Sequence, residues 1–116
     1  MRWIGFSKEK KAAAFLKKQG FTILKRNYMT KLGEIDIIAQ KEKSLYFIEV
    51  RYRKTGSLVS PEESVDHRKI KKIINTAKTF IQKNNSIKYK SIYFSLIAMD
   101  NNEIRFIPNA FTLNEI

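Results

Sequence analysis

Three carboxylates stand where strands ought to be apolar: Glu34 and Asp36 in Glu-Ile-Asp-Ile-Ile-Ala, and Glu49 in Leu-Tyr-Phe-Ile-Glu-Val-Arg. Most other acids occupy ordinary exposed places. Glu42 and Asp100 fall in polar turns, and Glu62, Glu63 and Asp66 fall near a helix start. Strand alternation puts Glu34, Asp36 and Ile38 on one face, with Ile35, Ile37 and Ala39 on the other. On the next strand Leu45, Phe47, Glu49 and Arg51 share a face, opposite Tyr46, Ile48, Val50 and Tyr52. A hairpin register that sets Asp36 beside Glu49 makes two carboxylates converge, with Arg51 two residues on. Such a pair repels, and desolvation adds to the cost. A divalent cation relieves both penalties. Oxygen ligands on a rigid sheet suit Mg²⁺, which keeps several waters and also binds phosphate. The plainer alternative is an exposed hairpin on which each acid pairs with a lysine or with Arg51.

Glu9 carries two readings as well. On a helical wheel it follows the line of Ala12, Ala13 and Leu16, which aims it at a sheet. Equally, it lies in the first turn after Ser7, where a carboxylate complements the helix dipole.

These acids sit in a basic chain. Lysine and arginine total 23 against 11 acids in 116 residues, a net charge of +12. That surplus points to a polyanionic partner, nucleic acid first. Only Arg105 lies beyond residue 90, so 22 of the 23 basic residues (23 less one) belong to the first 90. The absence of cysteine excludes a disulfide framework and thiolate metal sites, and suits a reducing compartment. His67 is the only histidine, so the usual zinc sites are excluded too. Apolar runs reach about five residues, as in 12–16, too short to cross a bilayer. The first residues reach Lys8, Glu9, Lys10 and Lys11 without a signal-peptide pattern, so the expected location is cytoplasmic.

The elements that must position the acids follow from periodicity and capping. Residues 7–19 read as a helix, with Ser7 as N-cap and Gly20 as its stop. Residues 21–28, 34–40 and 45–52 read as strands. The link at 41–44 makes the last two an antiparallel hairpin. Ser60-Pro61-Glu62-Glu63 has a capping-box pattern, and Asp66 is a second start signal for a helix reaching about Asn84. Ile70, Ile73, Ile74, Ala77, Phe80 and Ile81 form its buried stripe, with Arg68, Lys71 and Lys72 on the other side. Residues 87–99 read as a strand, and 103–107 as a short last strand ended by Pro108. The expectation is one α/β domain over 1–116, a mixed β-sheet with flanking helices in the order αβββαββ.

Gly33-Glu34-Ile35-Asp36-Ile37-Ile38-Ala39, followed by Phe47-Ile48-Glu49-Val50-Arg51-Tyr52-Arg53, resembles the PD-(D/E)xK nuclease signature. More closely it resembles the YraN family of bacterial proteins. Ala12–Leu16 with Gly20–Leu24, Asn27-Tyr28, Val65–Lys69 and Ile107–Phe111 extend the likeness over nearly the whole chain. The resemblance implies a restriction-endonuclease-like fold, related to that of archaeal Holliday-junction resolvases. By that resemblance Asp36 and Glu49 are the metal-binding acids, and Glu9 matches an acid that several such nucleases place on the first helix. Arg51 stands where the signature has lysine, and Ser95 where an aspartate is expected. Arginine stays protonated and cannot act as a general base, but it can hold a phosphate.

Two functions compete, with a third behind them. In the first, Asp36, Glu49 and Glu9 hold Mg²⁺ or Mn²⁺ and the protein hydrolyses DNA phosphodiesters. Arg51 binds phosphate, while Arg53, Lys54, Arg68, Lys71 and Lys72 track the backbone. In the second, the chain is a non-catalytic nucleic-acid-binding module on a nuclease fold. The third is a protein-interaction or ribosome-associated factor, since a charge of +12 also suits RNA. The partner expected first is DNA, ahead of RNA, and the resolvase likeness makes a homodimer attractive for two-stranded substrates.

Overall fold

The computed structural model describes residues 2–54 and 65–111, with side chains from Lys8 onward. The elements are α1 (Arg2–Lys18), β1 (Thr22–Thr30), β2 (Gly33–Lys41), β3 (Ser44–Tyr52), α2 (His67–Lys83), β4 (Ser91–Met99) and β5 (Ile104–Phe111). The order αβββαββ is the expected one. The sheet runs β1-β2-β3-β4-β5. β3 and β4 pair in parallel, and the other neighbours are antiparallel.

One apolar layer lies on each side of this mixed sheet. Ala12, Ala13 and Leu16 of α1 pack with Ile37, Ala39, Ile48, Ile97 and Met99. On the other side Ile73, Ala77 and Phe80 of α2 pack with Ile35, Ile38, Leu45 and Phe47. Ile70 and Ile74 extend that layer to Leu96 and Ala98. The buried stripe of α2 is thus the one its 3.6-residue spacing implies.

The ends of the helices show which signals operate. Gly20, at φ +95°, closes α1. Its N–H donates to the Lys17 carbonyl, and the Phe21 N–H donates to that of Leu16, a Schellman arrangement. At the other end, α1 begins at Arg2, so Ser7 lies within the helix and is not its cap. Asp66 caps α2, its Oδ1 accepting from the Lys69 N–H at 2.9 Å. The capping-box reading at Ser60–Glu63, like the loop at Thr55–Ser57, lies outside the described residues.

Three strand readings change. β4 starts at Ser91 rather than 87, because the Ile87 N–H is used in a turn to the Asn84 carbonyl. β5 continues through Pro108 to Phe111. Among the described residues it pairs only with β4, and the register shifts between Phe94 and Leu96, so a proline is tolerated where no ladder bond is required. Buried Ser95 donates its hydroxyl to the Pro108 carbonyl at 2.5 Å and ties that irregular stretch to the sheet.

The third change is on β2. Ile38 packs with Ile35 on the α2 side, whereas Ile37 and Ala39 pack on the α1 side. Simple alternation therefore fails between Ile35 and Ile37, and Ile38 shares a face with Ile35 rather than standing opposite it as expected. The β2–β3 ladder also stops there. It runs from Lys41↔Ser44 to Ile37↔Ile48, leaving Asp36 opposite Glu49 just past the last pair.

Candidate active site

Where β2 and β3 part, the Val50 N–H lacks a carbonyl partner on β2. The Asp36 carboxylate takes that role, with Oδ2 accepting from Val50 N–H at 2.8 Å. A side chain thus replaces a ladder bond, and Asp36 is held at the fork between the strands. β3 keeps its alternation, and Glu49 falls on the α2 side. It is buried, at 3% exposure. Its Oε2 lies 3.1 Å from Arg51 Nε and 3.8 Å from Lys69 Nζ, while Oε1 is buried with no hydrogen-bond partner among the described residues.

Glu9 arrives from the opposite side of the sheet, on α1. The Asn27 side chain, on β1, hydrogen-bonds it. Asn27 adopts φ +54°, a left-handed conformation that asparagine tolerates better than most residues. Glu9, Glu34, Asp36, Glu49, Arg51 and Lys69 all line one cavity of about 250 Å³. The fork therefore joins acids from α1, β2 and β3 with cations from β3 and α2.

The electrostatics are those of carboxylates held too close together. Burial first, and then the Asp36 charge, push the Glu49 carboxyl up from 4.5 to about 8, although Lys69 and Arg51 oppose the rise. Burial and Asp36 likewise push Glu9 up to about 7, against the hydrogen bond from Asn27. Two acids that resist ionisation around a third are a site short of positive charge.

The donor set fits a hard divalent cation. Glu49 offers a buried oxygen with no partner among the described residues, Asp36 has an oxygen beyond the one held by Val50, and the raised acids gain from a nearby cation. Among the described residues no three acidic, histidine or cysteine side chains form a closed ligand cluster. Mg²⁺ does not need one, since it is commonly held by one or two carboxylates with water and phosphate.

The cationic residues divide. Arg51 lines the cavity. Lys72 lines a neighbouring one of about 350 Å³, between α2 and the β1–β2 turn, which shares Glu34 and Lys69 with the first. Arg53 turns back so that its guanidinium donates to the Tyr52 carbonyl, and Lys54 is exposed just after β3. Arg68 and Lys71 are exposed on α2 and line neither cavity. Ser95 lies under the β5 irregularity, outside the carboxylate cavity.

Lys69 and Asn27 escaped the reading of spacing. Lys69 had a detectable signal: it lies four residues before Ile73, on the upstream extension of the buried stripe. A lysine there must face the sheet or its end. Asn27 had none, because its role depends on α1 crossing β1.

The profile of the uncharacterised protein family UPF0102 matches residues 8–105. The chain belongs to this family. It is 42% identical over 113 residues to the UPF0102 protein of Persephonella marina, covering 97% of each chain. With the UPF0102 protein of Fusobacterium nucleatum it shares 43% identity over 115 residues, covering 99% of this chain and 96% of the other. A Campylobacter jejuni relative is 44% identical over 105 residues, 90% of each. Among solved structures, Hjc, a Holliday junction resolvase of Archaeoglobus fulgidus, aligns with a TM-score of 0.45 and 23% identity, over 86% of this chain and 72% of that one. The YraN resemblance of the sequence is thereby realised as membership of UPF0102. No helix among the described residues is long and apolar enough to cross a membrane.

Proposed function

We propose that this chain is a single nuclease-like domain that hydrolyses DNA phosphodiesters with the help of Mg²⁺ or Mn²⁺. The observation that carries the reading is the fork itself, where Asp36, Glu49 and Glu9 line one cavity with Arg51 and Lys69. Asp36 and Glu49 would hold the cation, with Glu9 assisting. When bound, the metal supplies charge neutralisation and polarisation of a phosphoryl oxygen.

The chain's own residues do the rest. The Val50 N–H fixes the Asp36 carboxylate, so this ligand needs no reorganisation when substrate arrives. Arg51 cannot take a proton and serves as a fixed positive charge beside the scissile phosphate. Lys69 adds a second cation from α2. Arg53, Lys54, Arg68, Lys71 and Lys72 contact the DNA backbone without reading sequence. A two-fold dimer would present two such forks to a two-stranded substrate, and the cysteine-free composition suits work in the cytoplasm.

Cleavage of duplex, flap and four-way DNA in Mg²⁺ or Mn²⁺ tests this, with Asp36→Ala and Glu49→Ala as controls. Wild-type protein that cuts none of them in either metal overturns the proposal. A second reading, a DNA-binding module without catalysis, draws on the arginine at position 51 and on the fact that, among the described residues, no three acids stand close enough to hold one ion together. It predicts salt-sensitive binding in EDTA that survives Asp36→Ala.

A further inference from the structure

A second depression begins where the carboxylate cavity ends. Lys8 lines both. Its Nζ sits 3.7 Å from the centre of the Tyr52 ring, and Tyr52 in turn hydrogen-bonds Asn101. Beyond this contact a groove of about 490 Å³ runs between α1 and the turn joining β4 to β5. Lys8, Lys11 and Lys18 form one wall, while the half-buried Phe15 and Ile104 contribute apolar surface. The spacing 8, 11, 15, 18 places these α1 residues along one side of the helix.

The facing turn contains two acids, and each is already engaged. Asp100 Oδ1 accepts from the N–H groups of Asn102 and Glu103 at 2.7 and 2.9 Å. Glu103 pairs with Arg105 at 3.4 Å. Among the described residues Lys11 and Lys18 are exposed and have no ion pair. The groove thus sets three ammonium groups against two carboxylates that share Arg105, leaving a positive surplus beside apolar surface. A paired duplex keeps its bases stacked away from such a surface, while an unpaired strand presents phosphates and base faces together.

We propose that this groove binds the unpaired continuation of a DNA strand whose scissile phosphate lies at the Asp36–Glu49 fork. The protein therefore prefers substrates with a single-stranded arm beside the cleavage point. This rests on the nuclease reading, extended by the Lys8–Tyr52 contact that links the two depressions.

The test is fluorescence anisotropy in EDTA, using a blunt duplex, the same duplex with splayed arms, and an oligothymidylate. The variant is Lys11→Gln/Lys18→Gln, which retains helix-forming side chains at both positions. It should weaken the splayed-arm and oligothymidylate complexes on the order of tenfold and lower their salt slope by about 1.4, two phosphate contacts' worth for a single strand. Blunt-duplex affinity should hold, and Lys11→Arg/Lys18→Arg should restore binding. Equal weakening on all three probes, or no weakening on the armed ones, overturns the proposal. The binding readout uses no metal, so it is separate from the nuclease test. Wild-type protein that cuts nothing sinks the nuclease reading, whereas unchanged arm binding in an active enzyme sinks the groove alone.

Discussion

Glu49→Gln should make this protein more stable above neutral pH. Glu49 is buried beside Asp36, and its carboxyl is pushed from 4.5 to about 8. Between those values the folded protein holds a proton that the unfolded chain has released, so folding stability falls as pH rises. A rise of that size corresponds to a ceiling of about 5 kcal/mol at alkaline pH. The realised effect is smaller, because Asp36 and Glu9 share the same repulsion and glutamine gives up the ion pairs with Arg51 and Lys69. We take about 2 kcal/mol as the working figure, or roughly 8 °C in Tm for a chain of this size. Thermal melts in EDTA at pH 5 and pH 9 measure it. The variant should match wild type at pH 5, exceed it at pH 9, and show a flatter profile. A variant less stable than wild type at pH 9 would refute the reasoning, for it would show the ion pairs outweighing burial and repulsion.

Metal addition gives a complementary prediction: Mg²⁺ should raise the Tm of wild type at pH 8 but not that of Glu49→Gln, by a thermal-shift titration. Asp36→Ala and Asp36→Asn both remove the charge that crowds Glu49 and both should abolish cleavage, but only Asp36→Ala leaves the Val50 N–H unpaired, so it should be less stable than Asp36→Asn by about 1–3 kcal/mol in urea denaturation. Ser95→Ala should cost about 1 kcal/mol through the lost bond to Pro108, and Ser95→Asp considerably more, because the site is fully buried. At Gly33, φ is +153° and an added Cβ would meet Lys72 Cβ and Thr76 Oγ1 at 3.1 Å, so Gly33→Ala should lower stability by about 1–3 kcal/mol in the same assay.

Local patterns made much of this molecule legible. The α2 stripe, the Asp66 cap, the Gly20 stop and the β2–β3 hairpin each depend on neighbours a few residues apart, and each appears in the structure. The acids could be singled out for the same reason, since a carboxylate in a β-branched run breaks a local rule. What escaped depended on partners far along the chain. Ser7 looked like a cap, yet α1 extends five residues further upstream. Pro108 looked like a stop, yet an edge strand has no ladder bond to lose on its open side.

Residue types, charge and periodicity were sufficient to imply an αβββαββ mixed sheet and a basic chain with acids misplaced in two neighbouring strands, while the register that sets Asp36 opposite Glu49 came from the sheet. They could not show that β2 loses its alternation at Asp36, because that break follows from the ladder with β3 ending at Ile37↔Ile48. Nor could they choose between Glu9 as a cap and Glu9 as a cavity residue. Helix position is compatible with both, and only the packing of α1 over β1, with Asn27 reaching its carboxylate, separates them. Lys69 belongs with them. A one-dimensional pattern records which side of a helix faces inward, but charge separation is a three-dimensional distance. The 3.8 Å to Glu49 exists only once α2 has crossed the sheet.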